Sequence, residues 1–272
     1  MVRIRLVVTA LVASVITSCG APSFNGQSQA RTDPAVATAV VSWTTARPVK
    51  TDPRIGALFV GGTSLHSCTA GVLDSLAGNL IITAAHCLDA STESFFAPGY
   101  DGGSGATDFW RVDAAYLDPR WVSRQDPRTD IAIARVSRVD STDDRTLEQR
   151  AGGGLVLGSA PGAGVQVAVM GYPSGEGGAP IGCSGPTVLP DHGFPAVLCR
   201  GLGDGTSGAP WVSGAMVRGV VGGLQSGGCD YNDVTYSAPF DVQTRLLYRR
   251  AQEGGPGDQA TGAPDDGCST SP

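Results

Sequence analysis

Leu80-Ile81-Ile82-Thr83-Ala84-Ala85-His86-Cys87 is the stretch whose surroundings decide the fold. Leu80 to Thr83 is aliphatic and β-branched, the composition of a short buried strand. Ala84 and Ala85 add almost no side-chain volume, so the chain can turn tightly behind His86. Upstream, Ile55-Gly56-Ala57-Leu58-Phe59-Val60 is another short apolar run, stopped by Gly61-Gly62. Ser64 to Leu73 reads as a second strand, and Asp74 to Asn79 turns the chain. Downstream, Phe109–Tyr116, Val165–Tyr172, Ala209–Ser213, Ala215–Gly223 and Val234–Ala238 repeat the pattern, with turns at Pro173–Gly178, Asp191-His192-Gly193 and Gly214. Short β-rich runs separated by glycine turns indicate an all-β barrel or sandwich. Ala90 to Asp108 shows little periodicity and reads as a surface loop. Phe240 to Arg250 carries apolar residues at Phe240, Val242, Leu246 and Leu247, and reads as a C-terminal helix. Ser137 to Gly154, charged and then glycine-rich, reads as the connection between two halves.

The chain has 272 residues, 41% hydrophobic and 16% charged, enough to bury a sizeable core. The formal charge is -6, so there is no electrostatic footprint for nucleic acid. Seven cysteines indicate an oxidising compartment, and an odd number leaves one outside internal disulfides. Arg3 and Arg5 precede an apolar run from Leu6 to Ile16, too short to span a bilayer comfortably and typical of a signal peptide over 1–18. Residues 19–49, rich in Ala, Ser, Thr, Pro and Gln, show no sustained period and read as a tether or a propeptide. The folded domain is expected over 50–251. Residues 252–272 form a Gly/Pro/Asp-rich tail that reads as mobile.

Gly203-Asp204-Gly205-Thr206-Ser207-Gly208-Ala209-Pro210 places one serine in a glycine-rich turn. Glycine tolerates positive φ and close approach, so the N–H groups of Gly205 and Ser207 can converge on an oxyanion formed when Ser207 attacks a carbonyl. Taken alone, such a string is more often an ordinary surface turn. Asp130 precedes the strand-like run Ile131–Val136. Asp113, Asp118 and Asp126 are the alternatives, and none leads into an equally strand-like run. His66 and His192 have no comparable context and read as structural or surface residues. No metal-ligand cluster and no cofactor motif is present in the sequence.

Thr83-Ala84-Ala85-His86-Cys87 resembles the histidine motif of the trypsin/chymotrypsin-like serine peptidases. His86, Asp130 and Ser207 occur in that family's chain order. The resemblance covers about residues 50 to 251. It implies two six-stranded antiparallel β-barrels meeting near 137–160, a C-terminal helix, and acyl transfer by a His86–Asp130–Ser207 triad with Gly205 and Ser207 as the oxyanion hole. It also implies Cys68–Cys87 and Cys183–Cys199 bridges. Cys229 with Cys268 follows by elimination only, and a free Cys268 remains open.

Several positions depart from the family pattern. Thr206 stands where an aspartate commonly precedes the serine, and Asp204 puts a negative charge beside the hole. Arg54-Ile55-Gly56 faintly resembles a zymogen cleavage site, but Thr206 lacks the charge that a new N-terminus would pair with. Gly201 occupies the position whose aspartate selects Arg or Lys. Gly222-Gly223-Leu224 replaces the usual Ser-Trp-Gly of the pocket wall, and Asp233 lies near a second position that can supply a pocket charge. A small or medium apolar residue before the scissile bond is the resulting expectation.

Ile16-Thr17-Ser18-Cys19 resembles the lipobox of bacterial lipoproteins, which implies a lipidated Cys19 and a membrane-anchored, extracytoplasmic protein; the peptidase resemblance implies a protein or peptide substrate, and a monomer is expected. The competing outcome is an ordinary secretory signal with Cys19 discarded. A binding protein that keeps a peptidase-like fold with little activity is the alternative function. An α/β-hydrolase esterase fits poorly, because Gly205-Thr206-Ser207-Gly208-Ala209 lacks the second elbow glycine and the triad order differs.

Overall fold

The computed structural model describes residues 43–89, 91–103, 108–139, 143–175, 177–189, 191–228 and 233–259. The expected signal peptide and Cys19, Cys229 and Cys268 lie outside the described residues. The described part opens with two two-residue strands, β1 (Thr44–Thr45) and β2 (Arg47–Pro48). Then follow β3 (Ile55–Val60), β4 (His66–Leu73), β5 (Leu80–Thr83), β6 (Ser94–Pro98), β7 (Trp110–Leu117) and β8 (Ala132–Arg138). These six pair in the order β3-β4-β5-β8-β7-β6 and close on themselves through β6 and β3, which removes every edge. A short helix, α1 (Pro119–Arg124), separates β7 from β8 and is capped by Asp118.

The barrel interior follows from strand alternation and from residue size. Leu58, Ala70, Val72, Ile81, Phe96, Leu117, Ala132 and Ala134 all point into one cluster that also holds the Cys68–Cys87 disulfide. The expected surface loop over Ala90–Asp108 is incorrect in part. Ser94–Pro98 is a barrel strand, and Phe96 is fully buried. Its signal was hidden because only five residues pair between loop segments.

After α2 (Leu147–Ala151), the second half comprises β9 (Val156–Leu157), β10 (Gln166–Gly171), β11 (Ile181–Val188), β12 (Ala196–Val197), β13 (Cys199–Arg200), β14 (Pro210–Ser213), β15 (Met216–Val220) and β16 (Thr235–Tyr236). Its sheet runs β16-β12-β11-β10-β14-β15-β9, with β2 added on β11. The expected second barrel is not closed by a strand ladder. β16 is too short to pair along β15. Instead, the Gly222 N–H donates to the Tyr236 carbonyl at 3.1 Å. The Val220 N–H donates to Ser237 Oγ at 3.0 Å, and that hydroxyl donates to the Ala238 carbonyl at 2.8 Å. Trp211, Val167, Val169 and Val197 fill the space beneath, and Cys183 is bonded to Cys199.

The last helix, α3 (Val242–Glu253), begins at Asp241, whose carboxylate accepts the N–H groups of Gln243 and Thr244. It ends at Gly254, where φ of 77° suits a residue without Cβ. Leu247 and Ala251 join a cluster containing Tyr116, Ile131 and Ile133 of the first barrel and Val217, Val220 and Phe240 of the second half. One apolar core therefore spans both halves. Two expectations at the chain ends need correction. Residues 43–49 are not a free tether: β1 pairs with β13 and β2 with β11. The described tail is not free either. The Asp258 N–H donates to the Ala115 carbonyl, and its carboxylate accepts the Leu117 N–H at 2.7 Å and pairs with Arg250.

Ser237 tests how the second half is held together. Ser237→Ala would leave the buried Val220 N–H without its acceptor, so denaturant unfolding is expected to show a loss of about 1–3 kcal/mol.

Candidate active site

His86 lies in a one-turn 3-10 helix, Ala85–Cys87, directly after β5. Cys87 is bonded to Cys68 on β4, so the turn is fixed at its far side. Asp130 closes another such turn, Pro127–Thr129, just before β8, and is 1% exposed. β5 and β8 are neighbours, with Thr83 opposite Ala132, so the two residues meet at the barrel end. His86 Nδ1 lies 2.8 Å from Asp130 Oδ2. The His86 backbone N–H donates to Oδ1 at 3.0 Å, and the Gly223 N–H donates to Oδ2 at 2.8 Å. Because the carboxylate accepts, Nδ1 carries the proton in this pair. Burial pushes the Asp130 carboxyl up, but the His86 charge and the three N–H donors outweigh it and hold it below its usual 3.8.

Ser207 follows from the packing of its neighbours. Gly208 has φ of 80°, and a Cβ there would sit 2.0 Å from Thr83 Oγ1 and 3.0 Å from the Ala84 nitrogen. The serine loop is thus pressed against the residues that lead into His86. Thr69 fastens the same region from β4. Its N–H donates to the Ser207 carbonyl at 2.8 Å, and its hydroxyl donates to the Gly205 carbonyl at 3.0 Å. The Thr69 hydroxyl also accepts the Tyr172 N–H, and its carbonyl accepts the Thr83 hydroxyl at 2.8 Å. Sequence reasoning missed Thr69, whose only signal was a position next to Cys68.

The turn at 203–206 is held without an aspartate. Thr206 is buried, its hydroxyl donates to the Gly203 carbonyl at 2.7 Å, and its N–H donates to the same oxygen at 3.2 Å. The Ser174 N–H holds the Asp204 carbonyl at 2.9 Å. The Asp204–Gly205 peptide is trans, so the Gly205 N–H points the opposite way from that carbonyl. Among the described residues, neither the Gly205 N–H nor the Ser207 N–H donates to a protein acceptor. Gly205 itself cannot carry a side chain: a Cβ would sit 2.1 Å from the Ser174 nitrogen. The Asp204 side chain is exposed.

The remaining candidates divide. Gly222 and Gly223 sit against Asp130, and a Cβ on Gly222 would lie 2.8 Å from Oδ2. Gly223 was singled out as pocket wall, and its N–H proves to be a ligand of the carboxylate as well. Leu224 is half-buried and opens the following turn, while Gly201 is exposed, with open space where a side chain would stand. Asp233 pairs with Arg200 at 3.2 Å, both about half exposed. Asp113, Asp118 and Asp126 pair with Arg111, Arg120 and Arg124. Ile55 of the Arg54-Ile55 pair is buried at the start of β3, and Arg54 is paired with Asp52. Cys68 and Cys87 lie beside His86, but their sulfurs are bonded to each other and offer no thiolate.

The chain has the trypsin/chymotrypsin-like serine peptidase fold. No family model matches it, and no curated protein matches it in sequence. Among solved structures, the protease Anisep from Arthrobacter nicotinovorans is similar with a TM-score of 0.65 at 20% identity, over 77% of this chain and 100% of that one. The thermostable serine protease AL20 from an extremophilic microorganism gives 0.63 at 22% identity, over 75% and 99%. Human heparin binding protein gives 0.58 at 15% identity, over 78% and 98%. The two disulfides fit an oxidising, extracytoplasmic compartment. Among the described residues no helix is long and apolar enough to cross a membrane.

The Asp130 pairing has a pH signature. A carboxyl held below its usual range stabilises the fold above that range and loses its contribution as pH falls through the lowered value. In acid unfolding, the wild type is expected to lose stability more steeply below about pH 4 than Asp130→Asn does.

Proposed function

We propose that the protein is a serine endopeptidase in which His86, Asp130 and Ser207 act as the triad. The observation that carries this is the buried Asp130 carboxylate accepting His86 Nδ1 at 2.8 Å, with the Ser207 loop packed on the residues before His86. A carboxylate in that place fixes the imidazole tautomer, leaves Nε2 as the base, and stabilises the imidazolium. His86 takes the Ser207 proton as Oγ attacks a peptide carbonyl. The carbonyl oxygen becomes an oxyanion held by the Gly205 and Ser207 N–H groups, which have no protein acceptor among the described residues. His86 then protonates the leaving amine. Water, deprotonated by the same histidine, attacks the acyl-enzyme and releases the second product.

Specificity is proposed for a small or medium apolar residue before the scissile bond. Gly201 supplies no charge, and Asp233 already has Arg200 as a partner. We also infer that the domain is held at a membrane by acyl chains on Cys19, since two chains give stable anchoring. Metabolic labelling with a fatty acid is expected to mark the full chain and to fail for Cys19→Ser; equal labelling of both rejects the anchor.

The peptidase proposal is tested with a fluorophosphonate probe on the folded, disulfide-intact domain. Labelling is expected for the wild type and absent for Ser207→Ala. Asp130→Asn is expected to lower kcat by about 10⁴-fold. A folded wild type that takes no label and cleaves no peptide supports the binding-protein alternative.

A further inference from the structure

His66 is a buried histidine that the mechanism above does not use. It opens β4, is 1% exposed, and sits in a box of aromatic rings. Phe59 and Tyr100 meet it edge-on at 5.5 Å between ring centres, and Tyr172 does so at 6.1 Å. Packing alone would be served by a fourth carbocyclic ring. The imidazole brings polar atoms into this box, and a polar atom there costs stability unless it is bonded. Nε2 lies 2.8 Å from the Gly177 carbonyl, while Nδ1 is buried with no partner among the described residues. A carbonyl only accepts, so Nε2 carries the proton and donates. Among the described residues, the ring's one hydrogen bond goes to Gly177.

Gly177 belongs to the loop 173–178, and that loop reaches the serine. The His66 backbone exchanges two hydrogen bonds with Gly175, at 3.2 and 3.1 Å. Together with the Nε2 bond, this fixes the loop on β4 at two points either side of residue 176. One residue before Gly175, the Ser174 N–H holds the Asp204 carbonyl at 2.9 Å. That bond sets the plane of the Asp204–Gly205 peptide and hence the direction of the Gly205 N–H. Gly102 packs over the same loop, so closely that a Cβ there would come within 2.6 Å of the Gly178 nitrogen. His66 thus holds Gly175 and Gly177, and Gly102 packs against Gly178.

We propose that His66 is a positioning residue for the oxyanion hole, acting through its bonds to Gly175 and Gly177 and through the Ser174 N–H that holds the Asp204 carbonyl. This rests on the peptidase reading given above. A donor aimed at the oxyanion stabilises the transition state more than bound substrate, so loss of its alignment lowers kcat and leaves KM little changed. A purely structural histidine would alter thermal stability without that split.

The experiment measures kcat and KM on a peptide substrate for the wild type, His66→Phe, His66→Gln and Ser174→Pro, with thermal melts to establish folding. His66→Phe keeps a ring in the box and removes the donor. Its kcat is expected to fall about 10²-fold, with KM within about twofold. His66→Gln restores an N–H toward Gly177 and is expected to recover about tenfold of that loss. Ser174→Pro removes the N–H that holds Asp204 and sets the ring's Cδ against the same carbonyl, so it disrupts that bond directly. It is expected to show the same kcat loss as His66→Phe. A folded His66→Phe with wild-type kcat overturns the proposal, as does a Gln variant no better than Phe. If neither histidine variant folds, Ser174→Pro decides, and wild-type kcat there overturns it. An inactive, unlabelled wild type rejects the peptidase reading and this role with it. An active wild type with insensitive variants rejects this role alone.

Discussion

A single buried carboxylate sets the terms for the rest of the site. Asp130 is shut away from water, and an isolated charge there would be very costly. It is tolerated because three N–H groups converge on its two oxygens, from His86 Nδ1, the His86 backbone and Gly223. Those donors come from both halves of the chain. The first barrel must bring the turn after β5 to the start of β8, and the second half must bring Gly223 across to meet them. The requirement also explains the glycine pair at 222–223. A side chain on Gly222 would strike Asp130 Oδ2, and Gly223 has φ of 82°. The segment is made of glycine because it is the cap on the carboxylate.

The serine loop is rigid by different means. Thr206 bonds within its own turn, Ser174 holds Asp204, and Thr69 holds the carbonyls of Gly205 and Ser207. Each of these bonds is internal to the folded domain, and none needs a freed N-terminus. Ile55 is already seated at the start of β3, with its N–H on the Asp52 carbonyl at 2.9 Å. Thr206 therefore sits in a turn held by hydrogen bonds within 203–206 and from Ser174 and Thr69.

The fold class was legible in the sequence, and so were the local patterns that bring His86 and Asp130 together. His86 stood out because five residues in a row constrain one turn, and Asp130 because a clear strand follows it. Ser207 stood out because glycines flank it on a turn that must pack tightly. These are local patterns, and local patterns survive in a single sequence. The strand Ser94–Pro98 did not stand out, because its pairing with β3 and β7 is set by partners distant along the chain. β1 and β2 are two residues each and have no period to detect. Thr69 and the Gly223 N–H escaped for a related reason. Their roles lie in backbone direction and in one hydroxyl, and nothing in composition marks which of many threonines or glycines will face the site. In the second half the longer strands were legible, whereas the two-residue strands β9, β12 and β13 were not, and the sheet shows no closed ladder.

The two chain ends of the domain are exchanged between its halves. The N-terminal segment crosses the second sheet through β1 and β2 before it enters the first barrel at β3. The C-terminal helix and the residues after it return to the first barrel, with Asp258 fastened beside Ala115 and Leu117. Each half therefore grips a terminus belonging to the other. A cut in the segment joining them would sever one covalent connection and still leave two fragments clasped around each other. Durability against nicking is thereby a property of the route the chain takes, independent of how strong any one contact is.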